Sequence, residues 1–359
     1  MTTAPEPMLT VERDAMSIEN GGSNSAPWID DGDKYALFGL SVKIEEPVPL
    51  QKLTPRLWVM GDAKFDIPAH WREWLGTIRA EEVEDCNLFL FSKLRSQTPD
   101  VLDGENADLK QRAWHFYVGL LLASAFAPSH KPVLLTGSRR DGEIGVRSQD
   151  NFDTPIPCFF RAYPPVTFAD IQLAAALAEN IDAIRTASLS GGHWRLFRTL
   201  ALYVEARTVQ DNIDRLHQYC RCIEGLIVPR PGDTKKQFKS RTELFIGPRH
   251  HELMGDIYDV RSAAEHLHEN KYLEIFDRET RLDLMKKEAM VEYIARSTLA
   301  RVLGDRNLWP HFANTTALQS FWALEEKKRR ELWGCAINPY DAIVDFDPRY
   351  ISDGHLGAP

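Results

Sequence analysis

From residue 193 to residue 303 the apolar side chains of this chain recur at steps of three and four, and that period narrows the choice of fold more than any other feature. Residues 193–210 carry Trp194, Phe197, Ala201 and Val204. Residues 211–228 repeat the stripe with Ile213, Leu216, Tyr219, Ile223 and Leu226 and stop at Pro229. The turn-forming run Pro229-Arg230-Pro231-Gly232-Asp233 precedes a short helix over 235–246, which Gly247-Pro248 ends. Residues 249 to about 268 present Leu253, Ile257, Val260, Ala264 and Leu267. A last helix over 280–303 ends at Gly304. Short links and one-sided stripes are best buried in an antiparallel bundle, so 191–310 is expected to be an all-α bundle.

The stretch before it reads differently. Residues 28–190 mix strand and helix patterns, which makes the whole chain α+β: a mixed α/β N-terminal domain followed by the all-α bundle. Strands are expected over 35–44, 57–60 and 158–160, and helices over 108–127 and 168–187. Residues 132–136 and 143–147 flank Gly137-Ser138-Arg139-Arg140-Asp141-Gly142 as a hairpin. Those glycines lack a following Gly-Lys-Ser/Thr, so they do not make a phosphate loop. Ser188-Leu189-Ser190-Gly191-Gly192 reads as a hinge into the bundle. Residues 311–359 supply a C-terminal helix over 315–333 and a tail, and residues 1–27 read as a flexible tail with no export signal.

One decapeptide in the bundle carries chemistry: Asp259-Val260-Arg261-Ser262-Ala263-Ala264-Glu265-His266-Leu267-His268. An arginine fork can hold a phosphate through paired donors, and an imidazole can exchange a proton near neutral pH. Together they suffice to cut RNA without a metal. On a continuous helix His266 lies about 140° from Arg261, whereas His268 returns almost to the same face. Unwinding around Glu265 would bring His266 back. Arg261 and Glu265, four apart, also form an ordinary surface ion pair on a helix. Glu224 either crosses the bundle to fix the Arg261 guanidinium or is a solvated helix-end carboxylate. Ser262 either meets substrate phosphate or bonds its own helix backbone. Tyr258 reads as packing.

The chain resembles the HEPN domains, and among them the ApeA-like type, over about residues 193–303. The resemblance rests on Tyr203, on Cys222-Ile223-Glu224-Gly225-Leu226-Ile227-Val228, on Ser240-Arg241-Thr242-Glu243-Leu244, and on Ile257-Tyr258-Asp259-Val260-Arg261-Ser262 with His266. It implies a metal-independent endoribonuclease with no cofactor, in which Arg261, Ser262 and His266 belong to the cleavage motif. It also implies a homodimer with two motifs facing one cleft, RNA as the substrate, and a defence or toxin–antitoxin setting with an antitoxin or regulatory partner. Inactive members imply the alternative of a non-catalytic bundle that binds RNA, a nucleotide or a protein. The family pattern favours His266, with His268 in reserve. Where family members turn through glycine after the histidine, this chain has Leu267-His268-Glu269-Asn270.

Charge is arranged in keeping with a local anionic partner. The chain has a net charge of −9, yet 193–303 holds 19 Lys+Arg against 17 Asp+Glu, net +2, leaving −11 elsewhere. Arg230, Lys235, Lys236, Lys239 and Arg241 cluster in and after the loop and are the expected RNA-phosphate contacts, with a solvated basic loop as the other reading. His250 and His251 lack the spacing of a metal pair, so no metal is expected. Five scattered cysteines fit a reducing cytoplasm, and the longest apolar run, 117–127, is too short to span a bilayer.

Overall fold

The strand β1 (Asp33–Leu40) is buried along its whole length, because both of its faces are covered. Alternate residues point to opposite faces of a strand, so Tyr35 and Leu37 enter one apolar cluster while Ala36, Phe38 and Leu40 enter another. The computed structural model describes residues 26–61, 67, 69–156, 163–266 and 278–346. Five further strands, β2 (Gln51–Lys52), β3 (Trp58–Met60), β4 (Leu88–Arg95), β5 (Val133–Arg140) and β6 (Glu143–Asn151), complete a sheet of order β2-β3-β4-β1-β5-β6. Every neighbouring pair is antiparallel.

One sheet face is closed by Trp28 and by the short helices α1 (Ala69–Leu75) and α2 (Thr77–Glu84), through Trp71, Leu75, Ala80 and Val83. The other face is closed by α3 (Gly104–Ala123), where Tyr117 stacks on Phe38 with centroids 4.3 Å apart. Asp103 caps α3 by accepting from the Glu105 N–H, and the fully buried Lys34 of β1 reaches Asp103 (2.8 Å) and Glu105 (2.9 Å). Sheet and helix are therefore pinned at the helix start, where carboxylates are also favoured by the helix dipole. Against α3 lies α4 (Phe168–Ser188). A Cβ at Gly119 would stand 2.3 Å from the Ala174 carbonyl oxygen, so only glycine permits so close an approach.

The remaining chain is helical: α5 (Trp194–Ala206), α6 (Asn212–Ile227), α7 (Thr234–Ile246), α8 (His251–Glu265), α9 (Arg278–Gly304), α10 (Thr315–Ala323) and α11 (Glu326–Trp333). The fold is thus α+β, with a mixed N-terminal half and a helical second half. The larger apolar cluster is continuous from the sheet through α3 and α4 into α5 to α9. One polar cluster inside it is bonded together: Tyr203 donates to Glu292 at 2.8 Å, lies 3.1 Å from the Leu121 carbonyl and accepts from Arg207 at 3.2 Å. Among the described residues no helix is long and apolar enough to cross a membrane.

Several sequence expectations shift. The hairpin is longer, with β5 continuing through Arg140 and the turn made by Asp141 (φ 53°) and Gly142 (φ 82°). Gly137 lies at a bulge inside β5, where a Cβ would meet the Gly145 carbonyl. Helix α3 starts before residue 108 because Asp103 caps it, and ends at Ala123 because Ser124 is extended. The single helix expected over 315–333 is two, since Leu324 (ψ 155°) and Glu325 (ψ 144°) are extended. Turn 188–192 is closed by Gly192 N–H to Ala187 O (3.1 Å), followed by His193 N–H to Ala313 O (2.6 Å). Ala26 is buried, so it belongs to the sheet half; residues 1–25, the expected strand at 158–160 and His268 lie outside the described residues.

Candidate functional site

The site forms along the seam between α6 and α8. Helix α6 begins at Asp211, whose side chain accepts from the N–H groups of Ile213 and Asp214. It ends at Val228 in the left-handed region (φ 47°), where Arg241 of α7 donates to the Ile227 and Val228 carbonyls. Helix α8 follows the turn Pro248–His250 and buries Met254, Ile257 and Val260. Arg261 lies at the edge of that buried stripe. Its Nη2 is 3.1 Å from Glu224 Oε2, and both side chains are 15 % exposed. Its Nη1 is 3.7 Å from Glu265 Oε2, and the Tyr258 ring lies 5.7 Å from the guanidinium carbon. Glu265 also meets α6, where His217 Nε2 is bonded to the same Oε2. The contacts 224–261 and 217–265 run in opposite order along the helices, so α6 and α8 are antiparallel here.

His217 is absent from the residues that the sequence motif brings forward. A signal for it exists: His217 and Glu224 are seven residues apart on α6, two turns, hence one face. The Arg261 motif lies wholly on α8, and spacing within one helix carries no information about the side chains its neighbour presents.

The two carboxylates flanking Arg261 are held differently. Burial raises the Glu224 carboxyl above its ordinary range, opposed by the Arg261 charge. Glu265 is held below its ordinary range, chiefly by the His217 hydrogen bond. The Cys220 thiol beside them is pushed well up by burial, so it is no thiolate nucleophile. Two buried polar atoms at the seam, Arg261 Nε and Glu224 Oε1, have no hydrogen-bond partner among the described residues. Among the described residues the seam therefore holds an unused donor and an unused acceptor.

Ser262 is half-buried on α8, next to Arg261. Helix α8 stays helical through Glu265 and does not unwind there, and the exposed His266 caps its end (φ −95°, ψ 7°), its N–H bonded to Ser262 O. Its Cα thus lies about 140° round the axis from that of Arg261. The basic residues do not form one free patch. Lys235 pairs with Asp259 at 2.7 Å and Lys239 with Glu252 at 3.0 Å. Arg241 is used to close α6 and lies 5.3 Å from the Trp322 ring. Arg230 and Lys236 are exposed. His251 is bonded to Glu243, and Arg249 Nε donates to His250 Nε2 at 2.8 Å. Among the described residues no three His, Cys, Asp or Glu side chains converge as a metal site.

No family model, curated protein or solved structure matches this chain. What the seam can do follows from its own chemistry. A guanidinium fixed by one carboxylate, with imidazoles on α6 and at the end of α8, can bind an oxyanion and move protons.

Proposed function

We propose that the helical half is a HEPN-type endoribonuclease that cuts RNA without a metal. The observation that carries this reading is the Glu224–Arg261 contact at 3.1 Å, which fixes a guanidinium beside Ser262 at the end of α8. In the proposed reaction Arg261 holds the scissile phosphate. An imidazole, assigned to His266 by the family resemblance although its Cα stands about 140° round α8 from that of Arg261, takes the proton from the ribose 2′-hydroxyl as its oxygen attacks phosphorus. The bond to the 5′-oxygen breaks, a second group acting as acid protonates that oxygen, and the products are a 2′,3′-cyclic phosphate and a 5′-hydroxyl. The family resemblance supports an RNA substrate, a second acid supplied by a second copy of the chain, and a defence setting.

The test is to incubate the full chain with RNA and sequence the ends. Arg261→Ala and His266→Ala should each lose cleavage while EDTA leaves it intact. Cleavage by both variants would remove the assignment. Loss in His268→Ala and retention in His266→Ala would move the imidazole role to the later residue. A second reading, a non-catalytic bundle that binds RNA, a nucleotide or a protein, is favoured by the low exposure of Arg261 between two carboxylates. It predicts binding with no new RNA ends.

A further inference from the structure

Arg261 and His217 come from different helices, yet both address one atom, Oε2 of Glu265. Arg261 Nη1 is 3.7 Å from it and His217 Nε2 is within hydrogen-bond distance. An oxyanion flanked by a guanidinium and an imidazole N–H is the environment that a phosphodiester oxygen requires. In this chain the oxyanion is the protein's own carboxylate. Glu265 is suited to leave: it is the last residue of α8 and its side chain is 43 % exposed, against 16 % for His217 and 15 % for Arg261. The guanidinium and the imidazole are fixed in the seam, and the carboxylate is the more exposed partner.

We propose that Arg261 and His217 form the seat for one backbone phosphate of a single-stranded nucleic acid, and that Glu265 occupies this seat in the unbound chain. Displacing Glu265 frees the Nε2–H of His217 to point at a phosphate oxygen. Where the ribonuclease reading of this site holds, on which this step rests, His217 protonates the departing 5′-oxygen, so that the acid comes from the same chain in place of the second-copy acid that the family resemblance implies.

Binding of a fluorescein-labelled single-stranded 2′-O-methyl oligonucleotide, which has no free 2′-hydroxyl to attack, tests the seat without turnover. Glu265→Ala and Glu265→Gln should each bind about tenfold more tightly than the wild-type chain, because a like charge leaves the phosphate position. Arg261→Ala combined with Glu265→Ala should lose that gain. His217→Gln keeps a donor near the Nε2 position, so it should bind within a few-fold of wild type while losing at least about 100-fold in cleavage of ordinary RNA. Unchanged or weaker binding in both Glu265 variants, with their folds intact by circular dichroism, overturns the seat. RNA cleavage that depends on Arg261 but ignores His217 and Glu265 would leave the ribonuclease reading standing and remove this inference. Tighter binding by the Glu265 variants with no cleavage by any form would do the reverse.

Discussion

Arg261 on α8 and Glu224 on α6 are 37 residues apart in sequence and meet at 3.1 Å, nitrogen to oxygen, in a mostly buried seam. Such a pair is worth little against apolar replacement, but removing one member strands the other. Arg261→Ala should therefore destabilise the chain by about 1–3 kcal/mol. Adding Glu224→Gln should recover part of the loss. Urea unfolding of the two single variants and the double variant measures the coupling, and strict additivity would show that the contact contributes nothing. This control also separates a folding defect from loss of activity in the cleavage test.

Replacing Lys235, Lys236 and Lys239 together with Gln should weaken RNA binding and flatten its dependence on salt. Each lost phosphate contact lowers the slope of log K against log salt by about 0.7 for a single strand. Because Lys235 and Lys239 already face Asp259 and Glu252, the total change should fall short of three such contacts. An unchanged slope in a salt titration would take the basic helix out of the RNA path.

Gly225 sits one residue after Glu224 where α6 crosses α5. A Cβ there would stand 2.3 Å from Thr199 Oγ1, whose hydroxyl donates to the Arg195 carbonyl at 2.8 Å in a buried position. Gly225→Ala should cost about 1–3 kcal/mol through overpacking, despite the better helix propensity of alanine. Thr199→Ala should relieve most of it. Thermal melts of the single and double variants would decide, and a Gly225→Ala chain as stable as wild type would refute the close crossing.

Glu288 of α9 is fully buried and bonded to Arg215 of α6. Burial raises its carboxyl to about 7 despite the Arg215 charge, from an ordinary value of 4.5. Between those values the folded chain keeps a proton that the unfolded chain releases. The associated stability is complete below about pH 4.5 and is lost as pH rises through about 7. Across that window the loss runs at up to about 1.4 kcal/mol for each step of one in pH. Urea midpoints at about pH 5 and about pH 8 should fall more steeply for the wild-type chain than for Glu288→Gln. Equal slopes would mean that Arg215 holds the carboxylate ionised throughout.

The helices of the bundle are legible in the sequence because their stripes have a period that only a helix satisfies, and their ends carry Asp211, Pro229, Gly247-Pro248 and Gly304, whereas α1 and α2 are too short to show one. The sheet is legible where a strand stands between turn formers, as in the hairpin of β5 and β6. Strand β4, Leu88-Phe89-Leu90-Phe91-Ser92-Lys93-Leu94-Arg95, is not, since a short apolar run buried on both faces has no alternation to reveal it. The break at Leu324 and Glu325 is hidden because neither residue is a strong helix breaker. At the site, spacing brings out Arg261, and the apolar helix end around Glu224 offers it as a partner or a solvated carboxylate, but His217 emerges only once α6 is seen to face α8. The role of Arg241 is likewise invisible: a basic residue in a basic cluster looks like a ligand contact until the carbonyls of Ile227 and Val228 are seen in front of it.

The continuous core has a practical corollary for dissecting this protein. Cutting the chain near residue 190 would not release a tethered module; it would strip away a shared wall. The Tyr203 hydroxyl would lose the Leu121 carbonyl beside it, Arg207 its bond to the Phe126 carbonyl, and α9 the apolar side of α4. An excised helical fragment would present that raw surface to solvent and to other copies of itself. Its self-association would then report on the wound and not on the native protein. Assays of the α6–α8 seam belong on the intact chain.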